Sequence, residues 1–163
     1  MKIGILSDTH NNVENLEQAL NRLRQEDIHI LFHCGDFTDP DLTRLLYGFR
    51  VVAVFGNGDY ASGQIRQNLL ALDPHNWAGL VYTGELGGAR LAATHGHLLG
   101  KTQELLRSGQ YDYVFTGHSH LHMDQTFGGV RLINPGALGG KKSEPRQFCI
   151  LDLATGQTRF ILL

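Results

Sequence analysis

Hydrophobic positions along the chain alternate between short strand-like runs and stretches with helical spacing. Residues 2–7, KIGILS, are apolar and β-like; residues 13–25 place Val13, Leu16, Leu20 and Leu23 at spacings of three, four and three, the stripe of an amphipathic helix. Asn12 stands where an N-cap belongs. HILFH at 29–33 predicts a second strand, PDLTRLLY a short helix opened by Pro40, RVVAVF at 50–55 a third strand, and residues 62–72 another helix. Such a βαβαβ opening implies a parallel sheet with right-handed crossovers.

The second half changes character. Residues 79–94 predict two strands around Gly84-Glu85, residues 102–108 a short helix, and YDYVFT at 111–116 a strand. Two hairpins follow: MDQTF and VRLIN about Gly128-Gly129, then QFCILDL and TRFILL about Ala154-Thr155-Gly156. A parallel half and an antiparallel half imply an α/β domain of two packed sheets with helices outside. GALGGKKSE at 136–144 is the longest loop and is expected to be flexible.

Length and composition narrow the class. The 163 residues suit one domain, 1–163, which can bury roughly 70% of its unfolded surface without staples. Apolar residues make up 42%, charged residues 18%, and the net charge is -2, so no general nucleic-acid or membrane surface is indicated. Cys34 and Cys149 are too few for a disulfide framework, and no apolar run approaches the ~20 residues of a membrane span. The expected setting is cytoplasmic and reducing.

Five apolar runs end in the same kind of chemistry: Asp8-Thr9-His10, Cys34-Gly35-Asp36, Gly56-Asn57-Gly58-Asp59, His95-Gly96-His97 and Gly117-His118-Ser119-His120. Strand carboxyl ends form the ligand-binding crevice of open α/β sheets, so all five can converge on one site. Gly56-Asn57-Gly58 has hairpin-turn chemistry, but helical spacing follows it. Six of the nine histidines lie between His75 and His122. In extended chain, the i, i+2 pairs Asp8/His10, His95/His97 and His118/His120 point to one side. Carboxylates, imidazoles and an Asn oxygen, with no thiolate, suit Mn, Fe, Zn, Ni or Co better than Ca.

Asp8-x-His10, Gly35-Asp36, Gly56-Asn57-x-Asp59, His95 and Gly117-His118-x-His120, in that order, resemble the calcineurin-like metallophosphoesterase superfamily. ILSDTHNN and NPGALGG with Pro145-Arg146 resemble its small bacterial and archaeal phosphodiesterase branch. The resemblance covers the chain from residue 3 to the last hairpin. It implies a four-layer α/β/β/α sandwich, two mixed sheets face to face with helices outside, and two divalent metal ions, manganese foremost. It further implies that Asp8, His10 and His120 hold one ion, that Asn57, His95 and His118 hold the other, and that Asp36 bridges them. The reaction it implies is attack of a metal-bridging hydroxide on a small phosphodiester.

Other positions carry weaker expectations. Asp59 is expected to fix the tautomer of a liganding histidine, and His97 to contact substrate phosphate. His122 extends the alternation one step too far; His29, His33 and His75 read as strand-edge or surface residues, and Cys34 as core. Many relatives carry His or Cys at the position of Gly58, so this chain lacks a side chain placed to protonate the leaving group. HGHLLGKT at 95–102 fails as a P-loop, because Gly is required where His95 stands. Lys141, Lys142 and Arg146 are expected to reach substrate if their loop folds over the metals. Trp77 is an edge cover or an interface anchor. The competing functions are a phosphomonoesterase on the same site and a non-catalytic scaffold that kept the fold. A homodimer or higher homo-oligomer is expected from base rates alone.

Overall fold

The structure, a computed structural model, describes residues 1–141 and 143–163 of the chain. In chain order it runs β1 (Lys2–Leu6), α1 (Val13–Gln25), β2 (Ile30–His33), a 3₁₀ helix (Pro40–Leu46), β3 (Arg50–Val54), α2 (Ser62–Leu72), β4 (Trp77–Gly79) and β5 (Val81–Leu86). It continues with β6 (Ala89–Thr94), α3 (Lys101–Arg107), β7 (Tyr113–Phe115), β8 (Met123–Phe127), β9 (Val130–Asn134), β10 (Gln147–Asp152) and β11 (Gln157–Leu162). The six-stranded sheet has the order β11-β10-β1-β2-β3-β4, the five-stranded sheet β5-β6-β7-β9-β8. Both are mixed. β1 to β4 are parallel, with β10 and β11 antiparallel beyond β1; β6, β7 and β9 are parallel, flanked by antiparallel β5 and β8.

Strand periodicity creates the layers. On one face of β1 and its neighbours, Ile3, Ile5, Phe32, Val52, Val54, Cys149 and Leu151 pack against Leu91, Ala93, Phe115 and Ile133 of the second sheet. The opposite face, with Leu6, Leu31, Val51 and Ala53, is covered by Leu16, Leu20 and Leu23 of α1, by the 3₁₀ helix and by Ile65 and Leu69 of α2. Outside the second sheet, Leu105 of α3 packs with Ala92, Val114 and Leu132. The result is the expected four-layer α/β/β/α sandwich. Helix α1 is capped as its sequence implies, the Asn15 N–H donating to the Asn12 side chain at 3.0 Å. It presses close on β1: a Cβ at Gly4 would stand 2.6 Å from Leu23.

Three expectations are corrected, and the alternative left open at Trp77 is resolved. The turn in residues 79–94 lies at Gly87-Gly88, both with positive φ, and Gly84-Glu85 is inside β5. Trp77 begins a short edge strand, β4, that pairs with β3 through Val52, and its partly buried ring packs edge-on against Tyr82 at 5.2 Å, covering the edge of the inter-sheet core. His33 is 1% exposed, neither edge nor surface: its ring lies against Phe37, and its Nε2 bonds the Thr9 hydroxyl at 2.8 Å. Nor is the 136–144 loop a loose excursion. Ala137 and Leu138 are fully buried, and the Leu138 and Gly139 N–H groups donate to Ser7 and Asp8 carbonyls.

Candidate metal centre

The loops leaving β1, β2, β3, β6 and β7 bring the five polar clusters to one end of the two sheets. Their backbone is not the extended chain that i, i+2 spacing suggested. Asp8 (φ 52°), His10 (44°), Asp36 (55°), His118 (68°) and His120 (60°) all lie in the left-handed region. That conformation costs an L-residue about 1–2 kcal/mol, although Asp, Asn and His tolerate it best. Hydrogen bonds between neighbouring loops offset it. Asp8 N–H donates to Gly35 O at 2.9 Å, His10 N–H to Asp36 O at 3.1 Å, and His118 N–H to Asp8 Oδ2 at 3.0 Å. Glycines admit this crowding: a Cβ at Gly35 would meet His95 Nδ1 at 2.4 Å, and one at Gly117 would meet Ser7 Oγ at 1.8 Å.

Side-chain donor atoms then converge. Asp8 Oδ1 lies 3.3 Å from His120 Nε2, 3.7 Å from His10 Nε2 and 3.9 Å from His95 Nε2. Asp36 Oδ2 lies 3.6 Å from His10 Nε2 and 3.5 Å from His95 Nε2. Two groups have the spacing to hold a metal ion, Asp8 with His10 and His120, and Asp8 with Asp36 and His95. Asp8 Oδ1 and His95 Nε2 are buried and have no hydrogen-bond partner among the described residues. Native interiors seldom leave such atoms unpaired, so a divalent cation fits this oxygen and nitrogen donor set. His118 joins the cluster through its ring, edge-on to His95 at 5.0 Å, and His97 lies 5.4 Å from His95. Asn57 is exposed, in the turn whose flanking amides hold the acidic residues.

The electrostatics follow from this packing. Burial works to raise the carboxyl of Asp36, but the His95 imidazole 3.5 Å away and the hydrogen bond from the Gly58 N–H prevail and bring it down to about 2. Asp8 is likewise lowered against its burial by His10 and Ser7. The Asp8 carboxylate, 3.7 Å away, raises His10; His95 is raised, against its own burial, by Asp36 and Asp8. His97 is lowered by burial and by the neighbouring His95 and His118. Burial pushes His33 down to about 4. Both cysteines are free and buried, with thiols raised by that burial.

Supporting residues differ from those expected. Asp59 does not hold a histidine. Its carboxylate accepts the N–H groups of Asp36 (2.9 Å), Thr38 (2.8 Å) and Gly56 (2.7 Å), and so fixes the backbone under Asp36. The tautomers are set elsewhere. His95 Nδ1–H donates to Cys34 O at 2.7 Å and His120 Nδ1–H to Glu144 Oε2 at 2.7 Å, each turning Nε2 toward the cluster. Glu144, overlooked in the sequence, also accepts the Lys141 N–H at 3.1 Å. Arg146 bonds the carbonyls of Gly139, Gly140 and Lys141, shaping its own loop and leaving little of it to bind substrate. Lys142 lies outside the described residues. His122 is satisfied by Gln147 at 2.9 Å and packs on Phe160; His29 and His75 bond Asp27 and Asp73 at the surface.

Carboxylates and imidazoles clustered at strand ends of a four-layer sandwich define a metal-binding phosphoesterase class of centre. The model of the calcineurin-like phosphoesterase superfamily domain matches residues 1–156, and the chain belongs to that family. A phosphodiesterase of Methanocaldococcus jannaschii is 29% identical over 165 residues, covering 100% of this chain and 99% of its own. Phosphodiesterase YfcE of Escherichia coli is 27% identical over 168 residues, covering 93% and 88%. The solved structure of an archaeal phosphodiesterase superposes with a TM-score of 0.95 at 29% identity, covering both chains completely. Vps29 of Entamoeba histolytica shares the fold, with a TM-score of 0.74 at 19% identity over 100% of this chain and 98% of its own. No helix among the described residues is long and apolar enough to cross a membrane.

Proposed function

We propose that this chain is a dinuclear metal phosphodiesterase acting on small phosphodiesters. One observation carries the reading: two buried, unpartnered ligand atoms, Asp8 Oδ1 and His95 Nε2, amid three further side chains that offer donor atoms. Asp8, His10 and His120 would hold one ion, and Asn57, His95 and His118 the other. Asp36 would be shared, since its Oδ2 lies between His10 of the first set and His95 of the second. Two divalent ions, manganese foremost, supply Lewis acidity and a water acidic enough to ionise near neutral pH, so no protein nucleophile is required. The chain's own residues orient this chemistry. Gly58 N–H occupies Asp36 Oδ1 at 2.7 Å and turns Oδ2 inward, while Asp59 fixes the Asp36 backbone. We assign His97, unpartnered at Nδ1, to the phosphoryl or departing oxygen, because Gly58 offers no side chain there.

The test is one panel on chelator-stripped protein: aryl phosphodiester and monoester substrates, each with Mn²⁺, Ni²⁺, Zn²⁺ and Mg²⁺. Diester hydrolysis above monoester hydrolysis supports the reading. Hydrolysis of monoesters alone replaces it with a phosphomonoesterase. No turnover with any metal and less than one ion bound per chain leaves the scaffold. Asp36→Asn should abolish activity and Cys34→Ala largely retain it.

A further inference from the structure

Beside the ligand cluster a groove of about 460 Å³ is lined by His10, Asn11, Thr38, Gly58 and Tyr60. His10 belongs to both, so an ester group on a phosphorus held at the cluster is within reach of this groove. Resting on the phosphoesterase reading of the cluster, we propose that the groove receives a planar, uncharged aromatic ester group of the substrate, an aryl ring or a nucleobase, with Tyr60 as its specificity-determining residue.

Three features lead there. Among the described residues no Lys, Arg, Asp or Glu lines the groove, and His10 faces the carboxylates of Asp8 and Asp36, so these residues offer nothing to balance a second phosphate or another charged substituent. Gly58 presents bare backbone, and its N–H is already given to Asp36, so a flat group can lie against it without displacing a side chain or leaving that donor unpaired. Tyr60 is 95% exposed, a large ring left with almost no packing in the free protein. Aromatic rings of this kind gain most by stacking on a ligand. The groove is also built in advance. Thr38 bonds the Asn11 side chain, and Asp59 holds the N–H groups of both Thr38 and Asp36. One buried carboxylate therefore positions the groove wall and the candidate metal ligand together.

Calorimetry on the Mn²⁺-loaded protein, with methyl phosphate, phenyl phosphate and thymidine 5′-monophosphate as probes, tests this without relying on turnover. Methyl phosphate reports the metal centre alone. At least one ring-bearing monoester should bind about tenfold tighter than methyl phosphate, roughly the stacking contribution of one ring. A gain with phenyl phosphate identifies an aryl site, and one confined to the nucleotide a nucleobase site. Tyr60→Ala should reduce the ratio to within about twofold while leaving methyl phosphate binding unchanged, and Tyr60→Phe should retain it. Leu99→Ala, an equally exposed apolar change outside the groove lining, should alter nothing. Equal binding of all three probes by the wild type, or a ratio that survives Tyr60→Ala, overturns the inference. Absence of methyl phosphate binding, with ring selectivity intact, instead counts against the metal-phosphoesterase reading.

Discussion

Removing the Glu144 carboxylate should weaken the site at one ion only. Glu144 reaches His120 Nδ1 across 24 residues of sequence, at 2.7 Å, with the two side chains 24% and 19% exposed. The same hydrogen bond holds the Glu144 carboxyl below its ordinary range, as an ionised acceptor requires. Hydrogen bonds to charged groups contribute about 1.5–3 kcal/mol, and carboxylates that orient a liganding histidine typically contribute 10–100-fold in metal affinity. Partial solvation of this pair favours the lower part of that range, so Glu144→Ala should lose about tenfold, or ~1.4 kcal/mol, at the ion that His120 holds. Glu144→Gln keeps an acceptor oxygen and should lose about threefold. Arg146 still binds the Gly139, Gly140 and Lys141 carbonyls in both variants, but Glu144→Ala also removes the acceptor of the Lys141 N–H and the ion pair to Arg146 at 3.8 Å, so Glu144→Gln is the cleaner probe of the His120 bond. The assay is calorimetric titration of chelator-stripped protein with Mn²⁺ against a competing chelator, with thermal unfolding as a check on folding. Wild-type affinity in Glu144→Ala, or equal loss at both ions, would refute the reasoning.

Gly117→Ala would drive a Cβ to within 2.9 Å of the Cys34 carbonyl and closer still to Ser7 and Asp8, and should cost ~3 kcal/mol together with metal stoichiometry. Gly63→Ala, a helical position with nothing within 4 Å, should instead stabilise by about 0.4–1 kcal/mol; denaturant midpoints of the two variants decide. Asp59→Asn replaces an acceptor of three backbone N–H groups and should lose about 1.5–3 kcal/mol in urea unfolding, whereas a loss under 0.5 kcal/mol would contradict its anchoring role. Metal uptake should release protons. His10 and His95 are raised in the metal-free protein and so carry more charge at pH 6 than free imidazoles, yet they ligate only when neutral. Calorimetry in buffers of different ionisation enthalpy should therefore find more protons released at pH 6 than at pH 8, and affinity falling with pH.

Much of the site was legible because its ligands are polar residues at the ends of apolar runs, where little else explains them. Asp8, His10, Asp36, His95 and His120 fall together for that reason. Glu144 was not legible: it lies in a glycine-rich loop, and only the path of the chain after β9 brings it to His120. The partners of Asp59 were not legible either, because the backbone N–H groups that fill its carboxylate, at Asp36 and Thr38, come from another loop. His33 was misread against its own pattern. Alternation puts it on the face of Leu31, which is completely buried, so a buried histidine bonded to Thr9 was the consistent reading. β4 is three residues long, too short for periodicity to register, and exists because it pairs with β3.

The left-handed ligands show why residue type and position had to coincide. A left-handed residue reverses the chain within one step, so a ligand can stand immediately beyond a strand and still face back over the sheet end. Asp8, His10 and His118 are each held by a group from a different loop: Asp8 by Gly35, His10 by Asp36, His118 by Asp8. Asp8 and Asp36 follow the first sheet and His118 follows the second, so the His118 bond spans the seam between sheets. The inter-sheet core of Ile3, Ile5, Phe32, Phe115 and Ile133 must close before the His118 N–H can meet Asp8. The spacing of the candidate ligands therefore depends on how the two sheets pack, and substitutions in that core should disturb it without touching any of them.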